Sequence, residues 1–312
     1  MYRMYDCDFR WPNGAYIAVV FNMSWETPEH AVGARPNAKY KRAMRPIYEA
    51  AFADTGGVQR LCDLWDRTGV RSSCYVDGLT VEMFPRLARD VSERGHEFLV
   101  QGWTHEFLYD MTVEEQAEAI ARTNAAILAS TGKRAFGFSS AGGHLTAETF
   151  SILAEQGFTY SCGLRNAEVP FIINSEKGKI VGMTSYAVSD TPTARNTLTP
   201  RDVLQMWQDY FDVLYEEGRR GFPKMLAYGT HPAHAHGHRI KPLEEVINYV
   251  KKKDHVWIAT RGEIAEWVLR NYPDMDLSRF YPEAANSDRI YGLGIGLGGE
   301  EAKRKAASYR VS

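Results

Sequence analysis

Cysteine is scarce in this chain. Cys7, Cys62, Cys74 and Cys162 are the four in 312 residues, and no pair has CxxC or similar metal-knuckle spacing. A disulfide framework and a zinc knuckle are therefore excluded, and buried free thiols in a reducing cytoplasm are expected. Basic excess is also missing. Lys and Arg number 37 against 39 Asp and Glu, so no cationic face is available to meet a phosphate backbone, and nucleic acid is not an expected partner. Long hydrophobic runs are absent too. Stretches such as Ile17–Phe21 fall far short of the roughly 20 residues that span a bilayer, so no membrane partner is expected. Met1–Gly14 carries acids and aromatics in place of an apolar core, so no secretion signal is expected. What remains is 44% hydrophobic and 24% charged, enough to fill the core of a soluble cytoplasmic protein.

Short β-branched and aromatic runs alternate with longer helical patterns. Strands are predicted at Tyr16–Asn22, Arg71–Val76, Glu97–Val100, Ala135–Phe138, Phe158–Ser161, Ile180–Met183, Lys224–Tyr228 and His255–Ala259. Thr112-Val-Glu-Glu115 is a capping box that opens a helix to about Ser130, and Thr146–Gln156 reads as a shorter helix. Pro200 suits the first position of a helix running on through Asp202–Glu217, and Lys241–Lys252 leads into the last strand. Gly69-Val70, Gly95-His96 and Gly157-Phe158 repeat one joint, a glycine helix cap followed by a buried strand. About eight strands, each feeding a helix, fit an α/β fold of the (β/α) barrel type, with a doubly wound open sheet as the alternative.

In a parallel βα fold the site lies at the C-terminal strand ends. Residues just past the apolar runs are Asn22, Ser24 and Glu26, then Asp77, Gln101 and His105, then Ser139 and Ser140, and finally Asp190 and His231. Such convergent polar groups at one end point to a small-molecule site. The βα pattern stops near Pro273. The domain is therefore assigned to residues 1–273, and 274–312 is expected to be a flexible tail or an arm contacting a second copy in a homo-oligomer. Gly294-Ile-Gly-Leu-Gly-Gly299 formally matches a dinucleotide motif but lacks the flanking strand and helix that motif needs.

With these residues in view, the chain resembles the polysaccharide deacetylase (NodB-homology) superfamily. It looks nearest to the branch that holds metal-independent allantoinases and cyclic-imide hydrolases. The resemblance covers about Trp11 to Tyr272. It rests on Trp11–Asn22, Gly95–His105, Gly137-Phe-Ser-Ser-Ala-Gly-Gly143, Tyr186-Ala-Val-Ser-Asp190 and Thr230-His-Pro232, in the family's order. It implies a distorted (β/α) barrel and hydrolysis of a C–N bond in a small, cyclic amide, imide or ureide.

The departures bear on mechanism. Metal-dependent members end the first strand with Asp-x-Asp and carry His-x-x-x-His after the third; here these positions read Asn22-Met-Ser24 and Gln101-Gly-Trp-Thr-His105. Of three ligands only His105 survives, and Asn, Ser and Gln are poor ligands for a divalent transition metal. Ser139 stands where the family often has Arg. No cofactor is therefore expected, and the resemblance implies His105 or His231 as general base or acid. Asn22, Gln101 or backbone N–H groups would be the oxyanion donors. Glu26 would orient a histidine or hold water, and Asp190 would support His231 or meet substrate. Trp25, Trp103 and Tyr186 would wall a planar ring, with Ser24, Ser139 and Ser140 as further polar contacts. His234, His236 and His238 read as a polar rim. If they instead joined Glu26 or His105 around zinc, the protein would be a metal-dependent deacetylase or deformylase. A non-catalytic, ligand-binding descendant is a further alternative.

Overall fold

The structure is a computed structural model that describes residues 8–26, 50–186, 188–195 and 197–275. The chain forms the expected distorted (β/α) barrel, built on one curled sheet. Its strands are β1 (Ile17–Trp25), β2 (Ser73–Asp77), β3 (Glu97–Gly102), β4 (Gly137–Phe138), β5 (Tyr160–Leu164), β6 (Phe171–Ser175), β7 (Gly178–Thr184), β8 (Val188–Ser189), β9 (Lys224–Thr230) and β10 (Val256–Ile258). They lie in the order β6-β7-β5-β4-β3-β2-β1-β9-β8. β1 is the hub. β9 pairs along Ile17–Met23, while β10 takes Ile17–Val19 and β2 takes Asn22–Trp25 on the other side. Every pairing is parallel except the β6–β7 hairpin.

The helices α1 (Val58–Thr68), α2 (Gly78–Met83), α3 (Pro85–Glu93), α4 (Val113–Thr131), α5 (Ala147–Glu155), α6 (Pro200–Arg219), α7 (Gly237–Lys251) and α8 (Arg261–Asn271) cover the sheet. Side-chain alternation on β1 divides the two faces. Phe21 turns outward, stacking on Tyr228 and meeting Trp65 of α1, while Asn22 turns into the barrel. The sequence signals for helix ends hold. Thr112 and Glu115 close a reciprocal capping box on α4, and Thr199 with Asp202 does so ahead of Pro200 on α6. Gly69, Gly95 and Gly157 all take positive φ, which a residue without Cβ adopts at no steric cost.

Helices α2 and α8 and the strands β6 and β8 are absent from the sequence reading, which marked α1 and α3 only by their glycine ends at Gly69 and Gly95. β1 also runs three residues beyond the predicted end. Cys62, Cys74 and Cys162 are buried and free, as expected. The backbone N–H of Ile172 donates to Met275 O, and Met275 is buried, so packing continues to residue 275. The remainder of the expected tail, including the glycine-rich Gly294–Gly299, lies outside the described residues. Among the described residues, no helix is long and apolar enough to cross a membrane.

Candidate active site

A chamber of about 350 Å³ opens at the C-terminal strand ends. Ser24, Glu26, His105, Tyr186, Arg195 and His231 line it. A larger hollow of about 640 Å³ lies against the opposite strand ends, edged by Phe98, Phe136 and Leu269. Its acid and imidazole have structural duties. Glu97 accepts from the Ser73 hydroxyl and the Gly262 N–H, and His96 Nδ1 accepts the Ser72 N–H. The convergence of groups able to move protons is in the smaller chamber.

β8 and β9 build the core of that chamber. Ser189 pairs with Gly229 and the Asp190 N–H donates to Gly229 O, which sets Asp190 beside the residue leaving β9. His231 donates its backbone N–H to Asp190 Oδ2 at 2.9 Å, and its ring Nδ1 lies 2.6 Å from Asp190 Oδ1. An ionised carboxylate only accepts, so Nδ1 carries the proton and Nε2 is left with its lone pair. Burial alone would raise the Asp190 carboxyl. His231 and His234 outweigh it and hold that group well below the usual carboxylate range. Nε2 of His231 lies 4.0 Å from Glu26 Oε2. His234 sits three residues on, in the 3-10 turn Pro232–His234, where i and i+3 side chains eclipse. Its Nδ1 is 3.5 Å from Asp190 Oδ1.

A second acid–imidazole pair faces the first. The Glu106 carboxylate accepts from the N–H groups of Trp103 and Thr104 and from the Thr104 hydroxyl, fixing the turn after β3. Within that turn His105 takes φ 69°, a left-handed conformation that costs a non-glycine residue about 1–3 kcal/mol. The strain brings its Nδ1 to 3.5 Å from Asp77 Oδ1, with both residues buried. Burial pushes the Asp77 carboxyl up to about 7, against the pull of His105. Gln101, near the end of β3, holds Glu26 in place by donating from Nε2 to Glu26 Oε1 at 2.8 Å. The Tyr186 ring closes one wall, edge-on to His231 with the ring centres 6.0 Å apart.

Several expected site residues do not reach the chamber. Asn22 is fully buried. Its Nδ2 donates to Tyr228 O and its Oδ1 accepts from the Tyr75 hydroxyl and Arg261 Nε, so it is held beneath the chamber and is not part of its lining. Trp25 faces outward and donates to Asp54 Oδ1. Trp103 packs over Gly78 beneath the Arg122 guanidinium. Ser139 and Ser140 are buried and do not line the chamber, although Gly142 of the following turn does. His236 stacks on Phe52 and stands apart from the His231–His234 pair. Asp77 was visible in the sequence as a strand-end acid, but not as the partner of His105. Arg195 carried no sequence signal.

The sequence profile for "Polysaccharide deacetylase" matches residues 49–161. The peptidoglycan deacetylase of Helicobacter pylori (strain ATCC 700392 / 26695) is 22% identical over 262 residues, covering 73% of this chain and 88% of that one. A crystal structure of a "probable Polysaccharide deacetylase" from Pseudomonas aeruginosa PAO1 superimposes with a TM-score of 0.74 at 25% identity, covering 84% of this chain and 94% of that chain. Residues 49–161 thus carry the sequence pattern of the polysaccharide deacetylases, on a fold shared with solved structures named as such. The likeness is to a family of hydrolases that act on C–N bonds. Among solved structures of similar fold is Puue allantoinase, with a TM-score of 0.73 at 23% identity, covering 84% of this chain and 93% of that chain.

The deacetylase family's metal position can be tested on this chain's own donors. Ser24 offers a neutral hydroxyl, the Gln101 amide is tied to Glu26, and His105 turns Nδ1 to Asp77. One imidazole with two neutral oxygens does not make a transition-metal site. A different grouping lies alongside. Asp190, His231 and His234 place ligand atoms within 4.8 Å of one another. In it the His231 Nδ1 to Asp190 Oδ1 separation of 2.6 Å is a hydrogen bond, shorter than the roughly 3.3 Å between neighbouring ligands on tetrahedral zinc.

Proposed function

We infer that this deacetylase-like protein hydrolyses a C–N bond of a small cyclic amide, imide or ureide, without the family's metal. The observation that carries the reading is the line Asp190–His231–Glu26 at the chamber wall. Asp190 fixes the tautomer, so that Nε2 of His231 faces the chamber as a base. A water held between Nε2 and the Glu26 carboxylate loses its proton to Nε2 as its oxygen bonds to the substrate carbonyl carbon. The resulting imidazolium is stabilised by Asp190. It then returns the proton to the leaving nitrogen as the C–N bond breaks, giving a carboxylic acid and a free amine or amide. The Tyr186 hydroxyl, the Ser24 hydroxyl and the His105 ring surround the position where the oxyanion forms. A chamber of about 350 Å³ suits a single ring and is too small to enclose several sugar units. Fold-level likeness to an allantoinase supports a small ring as substrate.

The test is turnover of a panel of five- and six-membered imides, hydantoins and ureides. His231→Ala should lower kcat/KM on any accepted substrate by about 100- to 10,000-fold. Unchanged kinetics in that variant would remove His231 from the chemistry. The Asp190–His231–His234 grouping supports a second reading, a zinc-dependent deacetylase or deformylase with rebuilt ligands. Zinc there would polarise a carbonyl or acidify a water. Near-stoichiometric zinc in purified protein, lost in His234→Ala, would favour this reading.

A further inference from the structure

We propose that Arg195 anchors a carboxylate on the substrate, so that the natural substrate is an anionic cyclic amide, imide or ureide. The proposal rests on the hydrolase reading of the same chamber. Among the described residues, the acids around the chamber have internal partners. Glu26 accepts from Gln101, Asp190 binds His231 on both oxygens and approaches His234, and Asp77 faces His105. Arg195 lines the same chamber, is exposed, and has no carboxylate partner among the described residues. Among other exposed arginines, Arg67 meets Glu244, Arg71 meets Glu263, Arg201 meets Glu245 and Arg219 meets Glu216. Arg86, Arg89, Arg122 and Arg134 are exposed with no carboxylate partner among the described residues, but they do not line the chamber, so it is place on the chamber wall that sets Arg195 apart.

Place in the fold adds to this. Arg195 closes the single helical turn Thr191–Ala194 that starts directly after Asp190, so the cation is carried on the segment that fixes the catalytic pair. A guanidinium presents a planar fork that fits a carboxylate with two parallel hydrogen bonds. A ligand held there by one end and exposed to His231 at the other must carry its negative group on a substituent of the ring, apart from the carbonyl under attack. Within a chamber of about 350 Å³ that describes a five- or six-membered ring bearing a short acid side chain.

The experiment compares hydantoin-5-acetate with neutral 5-methylhydantoin as calorimetric binding probes for the wild-type chain, Arg195→Ala and Arg195→Lys. Ring opening is followed separately. The wild-type chain should bind the carboxylated probe at least about tenfold more tightly. Arg195→Ala should erase that preference, and Arg195→Lys, which keeps the charge without the fork, should retain part of it. Equal binding of both probes by the wild-type chain, or a preference that survives Arg195→Ala, overturns the proposal. Preferential binding without opening of either ring upholds the anchor and counts against the hydrolase reading instead.

Discussion

At the scale of single residues, the chamber depends on two carboxyls that respond oppositely to similar burial. Asp190 is held ionised by the two imidazoles and its backbone donor, whereas burial around Asp77 dominates and lifts it to about 7. The Asp77 shift has a consequence for stability. In the unfolded chain this carboxyl loses its proton near 3.8, while in the folded chain it keeps it to about 7. Between those values the folded state binds the extra proton, so stability falls as pH rises from about 4 to 7 and levels off above. Asp77→Asn removes the titrating group. Chemical denaturation across pH 4–8 should show a wild-type minus variant difference that declines over that window. A constant difference would mean that Asp77 ionises normally in the folded chain.

Single elements explain which of these residues could be read from the sequence. His231 was legible because it follows β9 directly, and strand ends are where a βα fold gathers its chemistry. Asp190 was marked instead by the Tyr186–Asp190 stretch of the family resemblance, since two-residue β8 left no strand signal. Asn22, Trp25 and Trp103 were misplaced for geometric reasons. The apolar run of β1 gives no mark for where the strand leaves the sheet, and it continues to Trp25. With a repeat of two, Ser24 reaches the chamber layer, Asn22 lies one layer below it, and Trp25 faces outward. Trp103 lies in a turn whose direction is set by Glu106, a contact that spacing does not reveal. Helix α8 was legible in principle, since Thr260 and Glu263 form a capping box. Arg195 was not, because it stands in the connection between β8 and α6 with no periodic pattern around it. One glycine ties strand geometry to the chamber. A Cβ on Gly229 of β9 would lie 2.4 Å from the Tyr186 ring. Gly229→Ala should therefore displace that ring and cost about 1–3 kcal/mol in urea denaturation. A cost near zero would show that Tyr186 is not packed there.

At the scale of the whole molecule, the barrel shares the architecture of the polysaccharide deacetylases it resembles, while the side chains at its mouth differ from the pattern that resemblance implies. Curling of the sheet brings β1, β2, β3 and β9 to one opening, so two acid–imidazole pairs from distant parts of the sequence face each other. The positions where the family resemblance would place a cation carry neutral or internally bonded groups, and in the proposed reading proton transfer falls to His231 with Asp190. The most direct test is turnover by protein stripped with a strong chelator, its zinc content measured on the same sample. The account predicts that ring opening continues undiminished and that added zinc does not raise it. Loss of turnover on stripping, with recovery on adding zinc, would contradict it.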